Sequence, residues 1–71
     1  MKIYAIYYIE DSSREYFIRR EDAIECGIDY IRQVSENEDW GPQETASLIA
    51  EFTREEWAYD LCALEEIEVK E

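Results

Sequence analysis

KIYAIYYIEDSSREYFIR, residues 2–19, decides the fold. Its first part, KIYAIYYIE at 2–10, is rich in Ile and Tyr, which suit a pleated surface, and reads as a strand. Alternation places Ile3, Ala5, Tyr7 and Ile9 on one face and Tyr4, Ile6 and Tyr8 on the other. Both faces are apolar or aromatic, so the strand belongs in the centre of a sheet. Helices are expected on one side, and the tyrosines are expected to form a rigid, amphipathic outer surface on the other. EDSSR at 10–14 is a polar turn, and EYFIR at 15–19 returns as the second strand of a β-hairpin.

Downstream the period changes from two to 3.6. From Glu21 to Ser35, Ile24, Ile28 and Ile31 recur on one helical face, widened by Ala23, Gly27, Tyr30 and Val34. Glu21 and Asp22 suit the positive end of that helix's dipole. Gly27 costs about 1 kcal/mol against alanine in a helix interior, which implies a close approach to the sheet. SENEDWGP at 35–42 is a loop, and Pro42 suits the first position of a second helix with Glu44 in its first turn.

Residues 43–61 admit two readings. Ala46, Ile49, Ala50, Thr53 and Trp57 fit one long helix, the favoured reading. Ala46, Leu48, Ala50 and Phe52 also alternate as a strand would, after which Thr53 and Glu56 would form a capping box for a short helix. EEIEVKE at 65–71 alternates Ile67 and Val69 with acids, and reads as a closing strand on the sheet edge. The architecture expected is one α+β domain over residues 1–71: a small, mostly antiparallel β-sheet of three to four strands with one or two helices packed on one face.

The composition narrows function by exclusion. A chain of 71 residues buries only about 60% of its unfolded surface, so a deep substrate pocket would consume much of its core. There is no histidine, which removes Ser–His and Cys–His catalysis and most zinc sites. Ser12 and Ser13 lie in a turn without a base. A calcium loop fails in both frames through residues 35–41, because Trp40 falls where a glycine or a ligand is required. No phosphate-cradling glycine loop is present, so no cofactor is implied. Cys26 and Cys62 form no spacing motif and read as small buried hydrophobes in a reduced, cytoplasmic protein lacking a secretory signal. No apolar run approaches the ~20 residues needed to span a bilayer.

The dominant quantity is the formal net charge of −12, from 19 acids against 7 bases. Small domains remain soluble with net charges of about 2 to 8 in magnitude, so solubility alone does not require this excess. Direct contact with nucleic acid or an anionic membrane is disfavoured, and a basic protein surface is the complement. Arg19 and Arg20 are an isolated basic pair beside acids rather than a nucleic-acid patch.

Glu21, Glu25 and Asp29 recur every four residues along one face of the first helix, where like charges repel. Each step rises about 6 Å along the helix axis. That is of the same order as the separation of phosphates on one strand of B-DNA, which advance 3.4 Å along the axis while winding around it. Glu36, Glu38 and Asp39 extend the field beyond the helix, and Glu51, Glu55 and Glu56 widen it. The row is either a nucleic-acid-like ladder or the solvated face of an ordinary amphipathic helix.

In length, charge, α+β pattern and lack of catalytic groups, the chain resembles the small acidic inhibitors that phages encode against host nucleic-acid enzymes: anti-CRISPR, anti-restriction and DNA-mimic proteins. The resemblance is one of class and carries no motif. It implies a non-enzymatic inhibitor seated in the nucleic-acid channel of a CRISPR effector or other nuclease in the host cytoplasm. Two alternatives stand beside it. One is an assembly protein that pairs through a strand edge as a homodimer, with Tyr4, Tyr8, Tyr16 and one or both of Trp40 and Trp57 as its contact patch. The other is a small carboxylate-based metal-binding domain or enzyme.

Overall fold

The computed structural model describes residues 1–70. The hairpin forms from β1 (Lys2–Tyr8) and β2 (Ser13–Phe17), each ending or starting two residues earlier than its sequence pattern implies. The turn sets those limits. Ser12 adopts a left-handed φ of 59° and its N–H donates to the Tyr8 carbonyl at 2.9 Å. The Asp11 carboxylate then accepts both the N–H and the hydroxyl of Ser13, at 3.0 and 2.6 Å. These two bonds hold the Asp11 carboxyl below its ordinary pKa.

Helix α1 runs Arg20–Asn37, and α2 runs Pro42–Glu55 with Pro42 in its first turn. The strand alternative for 43–52 is thereby excluded, and so is a single helix reaching 61. Glu56 takes a left-handed conformation (φ 61°, ψ 25°), its N–H returns to the Phe52 carbonyl, and the helix stops. Thr53 is no cap: its hydroxyl donates to the Ile49 carbonyl at 2.8 Å inside α2. The buried residue of α2 is Phe52, flanked by half-buried Leu48 and Ile49, while Ala46 and Ala50 face solvent.

The chain then adds β3 (Trp57–Ala58) and β4 (Cys62–Glu68), giving an antiparallel sheet of order β2-β1-β4-β3. The closing strand has β3 beside it only at Cys62 and Ala63; over residues 65–68 its outer side pairs with no strand among the described residues, the edge position that its alternation implies. It starts at Cys62 rather than 65 because Cys62 and Leu64 bury on the helix-covered face. β4 pairs with β1 along its whole length, from Lys2 opposite Glu68 to Tyr8 opposite Cys62.

Both helices cover the face that carries Tyr4, Ile6 and Tyr8. This reverses the placement of the tyrosines on the outer surface. The Tyr8 ring meets Tyr30 of α1 edge-on at 4.8 Å between centroids, and its hydroxyl lies 3.2 Å from Cys26 Sγ. The other face carries Ile3, Tyr7 and Tyr16, with Arg14 stacked 4.6 Å over the Tyr7 ring and paired with Glu65.

Gly27 approaches α2 rather than the sheet. A Cβ built on it would stand 2.6 Å from Phe52 Cε2 and closer still to Cζ. Phe52 is in turn among the largest fully buried side chains, with Ile6, Ile31 and Cys62. Gly27→Ala should therefore lower stability by about 1–3 kcal/mol in urea unfolding, although alanine is the better helix former. In contrast, the Ser35 hydroxyl is buried with no hydrogen-bond partner. Ser35→Ala should raise the urea midpoint, by an amount equivalent to roughly 1 kcal/mol.

Candidate functional site

The helical stripe that packs inward is Ala23, Gly27, Ile31 and Ser35, which turns Glu21, Glu25 and Asp29 outward. All three are exposed on one face of α1, as the spacing implies. The row is not a uniform ladder, however. Arg19 Nε donates to Glu21 at 3.0 Å, which lowers that carboxyl's pKa, and Arg32 stands 3.8 Å from Asp29. Glu25 has no basic neighbour among the described residues. At the end of α2, Glu55 pairs with Arg54 at 3.0 Å, and Glu56 just past the helix pairs with Arg20 at 3.2 Å, whereas Glu51 has no such pair among the described residues.

The bases are thus largely consumed. Lys2, Arg14, Arg19, Arg20, Arg32 and Arg54 each pair with a carboxylate at 2.5–3.8 Å. Such solvent-exposed pairs contribute little to stability. Their larger effect is to leave the remaining acids uncompensated.

Several of those acids lie around the C-terminal end of α1 and the cleft beside it. The last turn of α1 contains no base, yet it carries Glu36 and is followed by Glu38 and Asp39. Cations are what a helix C-terminus favours, so this end concentrates negative potential. Trp40 follows, half-buried, with its backbone N–H donating to the Ser35 carbonyl at 2.9 Å. Its ring separates two depressions, a cleft of about 1040 Å³ between the helices and the strand ends and a groove of about 580 Å³ beside Pro42.

Four carboxylates from four separate segments line the larger cleft: Glu10 from the β1–β2 turn, Glu38 after α1, Glu44 in the first turn of α2, and Asp60 before β4. None has a basic partner among the described residues, and no base lines the cleft. Burial raises the Tyr30 phenol's pKa first, and the negative field of Glu10 is the next contribution. Of the residues singled out in the sequence, Glu38 and Trp40 belong to this cleft, while Glu36 and Asp39 line the smaller groove. Glu10, Glu44, Asp60, Tyr30 and Tyr59 carry no local signal of convergence, because the turns that join them are distant in sequence. Tyr4 and Tyr8 are not part of an outer contact surface, since both pack in the layer between sheet and helices.

Neither cysteine is activated. Cys26 is a free thiol whose pKa burial raises, and it donates to Glu15 at 3.3 Å. Cys62 is fully buried, and burial pushes its thiol up to about 12. Among the described residues, no group of three or more Asp, Glu or Cys side chains is arranged to hold a metal ion. No helix there is long and apolar enough to cross a membrane.

No family model matches the chain, and neither a curated protein nor a solved structure does so.

The buried Cys62 thiol sets a pH dependence. Below about pH 9 it is protonated in both folded and unfolded chains, so stability does not respond to it. Between its ordinary value of 9.0 and about 12, only the unfolded chain ionises, and folding weakens as pH rises. Urea midpoints should therefore fall from pH 9 to 11, with a slope of up to roughly 1.4 kcal/mol per pH unit for this group. Cys62→Ala should make that decline shallower.

Proposed function

We propose that the protein is a non-enzymatic interaction module that binds a basic, nucleic-acid-binding surface of another protein. A CRISPR effector or other nuclease is the kind of partner in view, with the bound module acting as an inhibitor by presenting nucleic-acid-like charge. The observation that carries this reading is the distribution of charge. Six arginines and lysines are engaged in ion pairs, yet Glu10, Glu25, Glu38, Glu44 and Asp60 face solvent without cations. A cationic partner relieves that repulsion and releases the counterions both surfaces hold.

A second reading rests on the helix-free sheet face. Tyr16 is 60% exposed, Trp57 43% and Ile18, just past β2, 73%. Edge strand β2 and this aromatic face offer a route to self-association, with the acids serving only solubility.

Salt separates the two. In affinity capture from a bacterial lysate, the basic partner should bind near 50 mM NaCl and be largely lost near 500 mM, a weakening of about tenfold or more. Added duplex DNA should release it. Capture that survives high salt and ignores DNA, together with a dimer by sedimentation at both salt levels, would favour the sheet-face assembly.

A further inference from the structure

The cleft beside Trp40 joins two properties that the outer face of α1 lacks together. Its floor is apolar, with Val34 and Leu48 half-buried between the helices. Its walls are aromatic, from Tyr30, Trp40 and Tyr59. Its rim carries only negative charge, from Glu10, Glu38, Glu44 and Asp60. At about 1040 Å³ it is at the upper end of the size of small-ligand pockets, and it is open enough to admit a chain segment.

Resting on the reading that the partner is basic, we propose that this cleft receives a cationic amphipathic polypeptide segment of that partner. Apolar side chains of the segment lie on Val34 and Leu48. Lysine or arginine stems lie along Trp40 and Tyr59, and their charged heads reach the four carboxylates. Long basic side chains bury their methylene stems while keeping the charge at the rim, and an indole face attracts such cations. The uncompensated C-terminal end of α1 adds to the same attraction.

Other occupants fit less well. A second copy brings a further net charge of −12 against the rim. Nucleic acid meets the same repulsion, and the carboxylates form no arrangement of three that could hold a metal ion. The cleft, rather than the row on α1, is therefore the anchoring surface. On α1, Arg19 and Arg32 already compensate Glu21 and Asp29.

The test uses the full chain carrying Trp57→Phe, which leaves Trp40 as the one fluorescent indole. The probe is a peptide of about 14 residues made of Leu and Lys, with leucines on one helical face. Comparators are the same composition shuffled to remove that face, and spermine. The patterned peptide should shift Trp40 emission and bind at least about tenfold more tightly than either comparator. Glu44→Gln with Asp60→Asn, both at exposed positions, should weaken it about tenfold with the circular dichroism spectrum unchanged. Glu21→Gln, Glu25→Gln and Asp29→Asn together should change it less than about twofold.

Equal binding of the shuffled peptide or of spermine overturns the proposal, as does a larger loss from the α1 triple variant. If a salt-sensitive basic partner is captured undiminished by the Glu44→Gln, Asp60→Asn variant, the cleft assignment fails while the basic-partner reading stands. If no basic peptide binds even at low salt, both fall.

Discussion

The contact between Gly27 and Phe52 is the constraint on which the rest of the arrangement depends. With no Cβ at Gly27, the Phe52 ring lies directly against the α1 backbone, and the two helices close on each other. That closeness lets both rest on one face of a four-stranded sheet only 5–7 residues deep in its longer strands. A small domain has few large side chains to bury, and here Phe52, Ile6, Ile31 and Cys62 form the interior. The same closure aligns the end of α1 with the start of α2, and Trp40 bridges the gap between them. Packing thereby shapes the acidic cleft as directly as it does the core.

Charge is distributed to match. Lys2, Arg14, Arg19, Arg20, Arg32 and Arg54 each have a carboxylate beside them, and no base lines the larger cleft beside Trp40. The protein accepts repulsion there on top of an already large net charge. Self-repulsion concentrated in one concave region also focuses the field there, because the low-dielectric walls confine it. An extended row on a convex helix spreads the same number of charges into solvent, where salt screens them within about 10 Å.

Much of the fold was legible, and its failures have specific causes. The Ile- and Tyr-rich run at 2–10 and the polar turn at 10–14 identify the hairpin, though not its limits, and Pro42 marks the start of α2 because an N–H at that position would have no intrahelical partner. The choice of covered face was not legible from alternation. Both faces of β1 are apolar, and only the position of Tyr30 opposite Tyr8 shows which one the helices take. Trp57 fits a helical stripe by period, yet the left-handed Glu56 diverts it into β3. The start of β4 was hidden because the acids at 65–68 alternate as the edge they form, while Cys62 and Leu64 ahead of them carry the burial and Cys62 and Ala63 pair with β3. The cleft was the least legible feature, since its carboxylates meet only through tertiary structure.

The pairing of β1 with β4 has a kinetic side. These central neighbours are the strands most widely separated along the chain, with Lys2 opposite Glu68. The hairpin and the helices draw mainly on local contacts and are free to organise early. The middle of the sheet must wait for a loop of nearly the whole chain to close, an entropic toll that slows acquisition of the native topology. Until then Ile6 and its neighbours on β1 have one unpaired edge. Repulsion between excess carboxylates on different molecules works in the protein's favour during that interval, by keeping half-assembled chains apart while the last ladder zips.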